Sequence, residues 1–159
     1  MKKYRFITIS AAIAALYVVL TFVANFLGLA SGVIQCRLSE ALCVLPFFTP
    51  AAVPGLFIGC FLSNFLTGCH ILDVVFGSIA TLLGALFTRK FKTFGIAFSL
   101  IGPIVSNTVI VPFVLKLVYG MEGGLWFFAM TVLAGEVISC GLLGIILGKY
   151  LTKHKKNIF

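Results

Sequence analysis

Six charged side chains stand apart from the basic clusters of this 159-residue chain: Arg37, Glu40, Asp73, Lys116, Glu122 and Glu136. The four acids among them are all the chain has. Carboxylates accept hydrogen bonds and attract cations, while amides such as Asn64 and Asn107 donate and accept. Gathered in one place, these groups suit a ligand rich in N–H donors or carrying a positive charge. They do not suit a reaction. There is no H-E-x-x-H, no G-x-S-x-G, no Cys/His pairing with a plausible third member, and "CHILD" around His70 offers no metal geometry. A Walker motif is also missing, so the chain is not expected to hydrolyse a nucleotide. Neither a metal nor a cofactor is expected. The five cysteines form no C-x-x-C pair and read as small hydrophobes.

What holds these groups is apolar. The sequence is 61% hydrophobic and 10% charged, where a soluble domain is nearer half apolar and a quarter charged. So few charges could not cover a soluble globule, and the chain reads as one integral-membrane domain over residues 1–159. The net charge of +8 then concerns the membrane and not a nucleic acid. The N-terminal apolar run, Phe6 to Phe26, is longer than the roughly 7–15 residues of a signal-peptide core and reads as the first membrane helix.

Apolar stretches run over 6–29, 38–48, 52–68, 72–88, 95–118 and 125–150. The first, fifth and sixth reach the roughly 20 residues of a crossing; the third and fourth are a little short. The second is much too short, because Pro46, Pro50 and Pro54 end any helix that continues from it. Ten of the twelve Lys and Arg fall in three clusters: Lys2/Lys3/Arg5, Arg89/Lys90/Lys92 and Lys149/Lys153/Lys155/Lys156. Positive residues gather on the cytoplasmic side, so an even number of crossings must separate the clusters. Four crossings before residue 88 and two after it satisfy this. The expectation is an all-α bundle of six transmembrane helices with both termini in the cytoplasm. Its short second helix can be tolerated only if protein or water, not lipid, surrounds its ends.

In that arrangement Glu40 and Asp73 begin helices 2 and 4 at the outer side. Glu122 and Lys116 have access to water, and Asn64 lies towards the outer end of helix 3. Gln35, Arg37 and Glu40 form a gate loop and helix start over an outer pocket, with Trp126 and several Phe nearby. Arg37 and Glu40, three apart, could instead form a simple ion pair, and Trp126 could belong to an interfacial belt. Glu136 is the exception. Twelfth in helix 6, it lies near the midplane, where a charge costs at least roughly 2.5–3.5 kcal/mol and marks a functional site by default. Asn107 lies at similar depth.

Helix 1 has small residues four apart, Ala11 and Ala15, with Ser10 and Ala14 beside them. Such a face lets another helix approach closely, and if the chain transports, something else must supply the energy. Gly144 and Gly148 repeat the spacing in helix 6, where packing within the chain is the simpler reading.

Together, six short helices, the alanine pair and the absence of an ATPase resemble a substrate-binding S-component of an energy-coupling factor (ECF) transporter. Within that group, "RLSEALCVLPFFTPAAVPGLFIGCFLSN" (37–64) is similar to the queuosine-precursor family QueT. The resemblance implies a bacterial, multi-pass cytoplasmic-membrane protein that captures a 7-deazaguanine, preQ1 or queuine, from outside. It implies docking through helix 1 on a transmembrane coupling subunit that carries two ATPase subunits. On position and chemistry, Glu136 and Asn107 would recognise the ring, and Glu40 or Asp73 would neutralise the ligand's amine. Other readings stay open: an S-component for another vitamin-like ligand, a small membrane enzyme, or a homo-oligomeric channel.

The topology makes a direct prediction. A variant retaining Cys36 alone should react with a membrane-impermeant thiol reagent from outside, and ligand should slow the reaction. Labelling from the cytoplasm alone would overturn the topology.

Overall fold

In a computed structural model of the protein, residues 3–29, 36–119 and 124–158 are described. Every regular element among them is helical. The segments are α1 (Lys3–Phe26), α2 (Leu38–Phe48), α3 (Ala52–Leu66), α4 (Ile71–Lys90), α5 (Ile96–Ser99 and then Ile101–Tyr119) and α6 (Leu125–Glu136, Val137–Leu143 and Gly144–Ile158). Four helices are long and apolar enough to cross a membrane: Lys3–Phe26, Ile71–Lys90, Ile96–Leu117 and Leu125–His154. α4 is therefore longer than its apolar stretch suggested, because it continues into Arg89 and Lys90 at its basic end. The shorter apolar helices are α2 and α3.

α2 is protein-wrapped, as its length requires. It packs on α1, α4 and both the middle and final parts of α6, and Leu42, Cys43, Val44 and Leu45 are buried. Its first seven residues, Leu38–Val44, are wound as a 3₁₀ helix, and a single α turn, Leu45–Phe48, follows. In a 3₁₀ helix side chains at i and i+3 eclipse, which aligns Glu40 and Cys43 along one edge. Pro50 has no N–H to offer the Pro46 carbonyl four residues back. Arg89 of α4 supplies that bond instead, from Nη1 at 3.3 Å. Ser10 of α1 ties down the start of α3 in the same way, its Oγ donating to the Ala51 carbonyl at 2.7 Å.

Small residues set the spacing between helices. A Cβ on Gly55 would lie 2.7 Å from the Ser10 carbonyl, and one on Gly59 would lie 2.7 Å from Tyr17 Cβ, so α1 and α3 touch backbone to side-chain root. The small pair that α1 spends on this contact is Ser10 and Ala14, both buried, whereas Ala11 and Ala15 face outward. Gly144 and Gly148 of α6 are used inside the chain, against Leu100 and Ala41 and against Val44 and Ile96. α4 and α5 meet at Gly84, where a Cβ would lie 2.6 Å from Pro103 Cα, and at Gly102, which faces the Phe87 ring.

Interiors packed this closely punish added methyl groups by roughly 1–3 kcal/mol. Gly84→Ala should lower the melting temperature of the purified protein in detergent by several degrees. Gly124→Ala, with nothing within 4 Å of the new Cβ, should leave it nearly unchanged. Equal melting temperatures would mean that α4 and α5 do not meet at Gly84.

Candidate functional site

Four elements converge on one asparagine. Asn107 of α5 donates through Nδ2 to Glu136 Oε1 of α6 at 3.0 Å and to Glu40 Oε2 of α2 at 3.5 Å. Glu40 also receives the Tyr17 hydroxyl from α1 at Oε1 and the Cys43 thiol at Oε2, the latter at 3.0 Å. The Cys43 contact follows directly from the eclipsed i, i+3 geometry of the 3₁₀ segment. Thr21 reinforces the α1–α2 junction by donating to Ser39 Oγ at 3.0 Å.

The cluster continues into α3 and α4. Cys60 Sγ accepts from Thr81 Oγ1 at 3.4 Å and from Asn64 Nδ2 at 3.6 Å. Asn64 Nδ2 and Asp73 Oδ1 both lie beside Gly77, 3.1 and 3.7 Å from the position its Cβ would take. Asp73 sits in the first turn of α4, behind His70, whose Nδ1 accepts the Leu72 N–H at 3.2 Å as an N-cap. Half-buried Arg37 faces this group. Burial works against its charge, but the Asp73 carboxylate, with a smaller contribution from Glu40, more than offsets that and holds the guanidinium above its ordinary range.

Glu136 is held differently from Glu40. Its Oε2 is buried and has no hydrogen-bond partner. The same is true of Ser139 Oγ, three residues on, and of Thr108 Oγ1, next to Asn107. Among the described residues these are the buried side-chain polar atoms left unpartnered. Immediately after Glu136, α6 changes to a π-helix over Val137–Leu143. Such segments are rare and recur at functional sites. Native proteins satisfy the large majority of buried polar side-chain atoms, so the unused capacity of Glu136 Oε2 and Ser139 Oγ on neighbouring turns of α6 stands out, while Thr108 borders an apolar groove.

The structure thus unites Glu136, Asn107, Glu40, Arg37, Asp73 and Asn64 in a connected polar region. The arrangement differs from a reading by sequence position in three respects. Glu136 is not the one acid beyond the reach of water: Glu40 is 0% exposed, Asp73 5% and Glu136 6%, because α2 is threaded through the bundle instead of lying at its rim. Asp73 is the larger counter-charge to Arg37, ahead of Glu40 three residues away. Trp126 is 85% exposed and does not join the cluster; with Thr108, Pro112 and Phe113 it borders a separate apolar groove of about 250 Å³. Gln35 and Glu122 lie outside the described residues.

Tyr17 and Cys43 are the participants that sequence reasoning missed. A signal for Tyr17 existed: a phenol in the middle of an apolar helix needs a partner once buried, and it is 1% exposed. Cys43 at i+3 from Glu40 was legible only with the helix type known.

Comparison with known proteins bears on the same residues. A family model described as "QueT transporter" matches residues 7–153. A curated relative, "Queuosine precursor transporter QueT" of Lactococcus lactis subsp. cremoris (strain MG1363), is 40% identical over 95 residues. The match covers 57% of this chain and 55% of the relative, so the chain spans about half the length of the curated relative it matches. No solved structure matches.

Proposed function

The chain belongs to the QueT transporter family, and on that premise we propose that it is the substrate-binding S-component of an ECF uptake transporter for a queuosine precursor. In this reading six helices cross the bacterial cytoplasmic membrane with both termini inside. A 7-deazaguanine such as preQ1 or queuine enters from outside, and a separate module supplies the energy. The observation that carries the reading is the unpartnered Glu136 Oε2 beside the Asn107 amide. A guanine edge presents N1–H and N2–H₂ side by side, which a carboxylate accepts together, and its O6 accepts from an amide. The ligand's amine, cationic at neutral pH, is matched by a region with three acids, Glu40, Asp73 and Glu136, against Arg37. Glu40 or Asp73, both buried in this region, takes that amine.

Glu136→Gln keeps the shape, removes the charge and turns an acceptor towards the ligand's donors into a donor. Losing a charged partner to a buried polar group costs roughly 2–5 kcal/mol, about 30-fold to several thousandfold in affinity. Calorimetry with preQ1 should show that loss for Glu136→Gln, while Glu122→Gln binds nearly as the parent does. Equal affinities would remove Glu136 from the recognition site.

The outward-facing Ala11 and Ala15 of α1 support a second part of the proposal: they are the contact with the coupling subunit, which in turn carries two ATPase subunits. Small residues four apart let a partner helix come close, and here the chain's own helices leave them uncovered. Replacing both with Leu should abolish uptake and co-purification with the module, with ligand affinity retained. Normal transport by that variant would place the contact elsewhere.

A further inference from the structure

The π segment of α6 sorts its residues by side. Val137, Ile138 and Leu142 are exposed, whereas Glu136, Ser139 and Cys140 are buried, so these three form an inward arc. Cys140 on that arc meets the Cys43 thiol of α2, and Glu136 accepts the Asn107 N–H at Oε1. Glu136 Oε2 and Ser139 Oγ are what the arc leaves unpartnered.

An idle hydroxyl is out of character for this chain. Among the described residues, the other buried serines and threonines all have partners. Ser78 and Thr81 donate to carbonyls of their own helix, and Ser10 and Thr88 donate to carbonyls of other segments. Half-buried Thr108 has an unpartnered Oγ1, but it borders the apolar groove. Ser139 is 0% exposed and shares its arc with a carboxylate oxygen that is also unused. A hydroxyl can donate as well as accept, so the two atoms make an acceptor and a donor side by side.

We propose that Ser139 is a ligand-recognition residue, its hydroxyl donating to the ring nitrogen N3 of the base held at Glu136. The inference rests on the functional reading above and extends it by one ligand atom. A guanine-type edge runs O6, N1–H, N2–H₂, N3, with an acceptor at each end and the donors between. In that reading an amide serves O6 and the Glu136 carboxylate serves the two donors. The acceptor left over is N3, beside N2. The protein group left over is the Ser139 hydroxyl, three residues beyond the carboxylate on the same helix. Three residues advance a helix by at most about 4.5 Å, a step short enough for both groups to meet one ring. A base with C–H at position 3 would leave that hydroxyl buried and unpaired, and a site built to bond a ligand atom rejects the analogue lacking it.

Calorimetry on the full chain tests this with preQ1 and its 3-deaza analogue, in which C–H replaces N3. Each is measured against the parent and Ser139→Ala, so that changes common to both ligands cancel. Ser139→Ala should bind preQ1 about three- to tenfold more weakly, the worth of one neutral hydrogen bond. It should bind the analogue at least as well as the parent does. Without ligand the variant should melt no lower than the parent, because the lost hydroxyl had no partner; a serine that merely braced the helix would lower the melting temperature and weaken both ligands alike. Equal losses for the two ligands overturn the assignment, as does an unchanged affinity for preQ1. A parent that binds neither ligand would instead sink the functional reading, and this inference with it.

Discussion

A carboxylate that water cannot reach must take its hydrogen bonds from the protein, and in this fold a single amide nitrogen provides for two of them. Asn107 links Glu40 and Glu136, and that link fixes more than a side-chain contact. It demands that α2, α5 and α6 bring those residues to one point, and Tyr17 adds α1. A helix of eleven residues could not cross a bilayer with its ends in lipid. Threaded among four neighbours, α2 has its backbone served by protein: Arg89 supplies the donor that Pro50 lacks. The acid cluster and the incomplete helix are therefore one feature, because the residue that must be satisfied lies on the segment that must be enclosed.

Enclosure without collapse depends on where bulk is withheld. Gly55, Gly59, Gly84 and Gly102 bring α1 to α3 and α4 to α5 at distances no larger side chain would allow, and Gly144 and Gly148 let α6 settle on α2. Tight approach of backbones is how membrane helices gain dispersion energy when lipid is as apolar as they are. The small residues of α1 divide the same way, Ser10 and Ala14 inward and Ala11 and Ala15 outward. Sequence spacing alone could not make that division, since adjacent residues of both pairs share the period of four.

Helix boundaries were legible because they follow from hydrophobic runs and prolines, which are local. The expected stretches 38–48 and 52–68 became Leu38–Phe48 and Ala52–Leu66. The polar site was legible in membership, since a charge or amide in an apolar run stands out. Its depth order was not. Glu40 reads as a helix-start residue at a rim, and only the enclosure of α2, a tertiary fact, makes it the most deeply buried acid. Trp126 could not be placed from sequence for the opposite reason: an aromatic at a helix start suits a pocket or a lipid interface equally, and its 85% exposure sets it apart from the buried cluster. The 3₁₀ winding of α2 and the π segment of α6 have no compositional signature, so Cys43 and the unpartnered hydroxyls went unseen.

That π segment bears on why Glu136 is left incomplete. A hydroxyl within an α-helix can return its hydrogen to the carbonyl four residues back, as Ser78 and Thr81 do in α4. Where the winding loosens to i→i+5, that carbonyl is displaced and the local partner is lost. Ser139, inside Val137–Leu143, is in this position, and its Oγ is unpartnered like the Glu136 Oε2 that precedes it. The change of pitch also alters the rotation between the two halves of α6, so that Glu136 can face Asn107 while Gly144 and Gly148 face Leu100 and Val44. One local departure from α geometry thus serves two demands: close packing of the lower half on α2, and polar capacity held open in the upper half where α5 faces it.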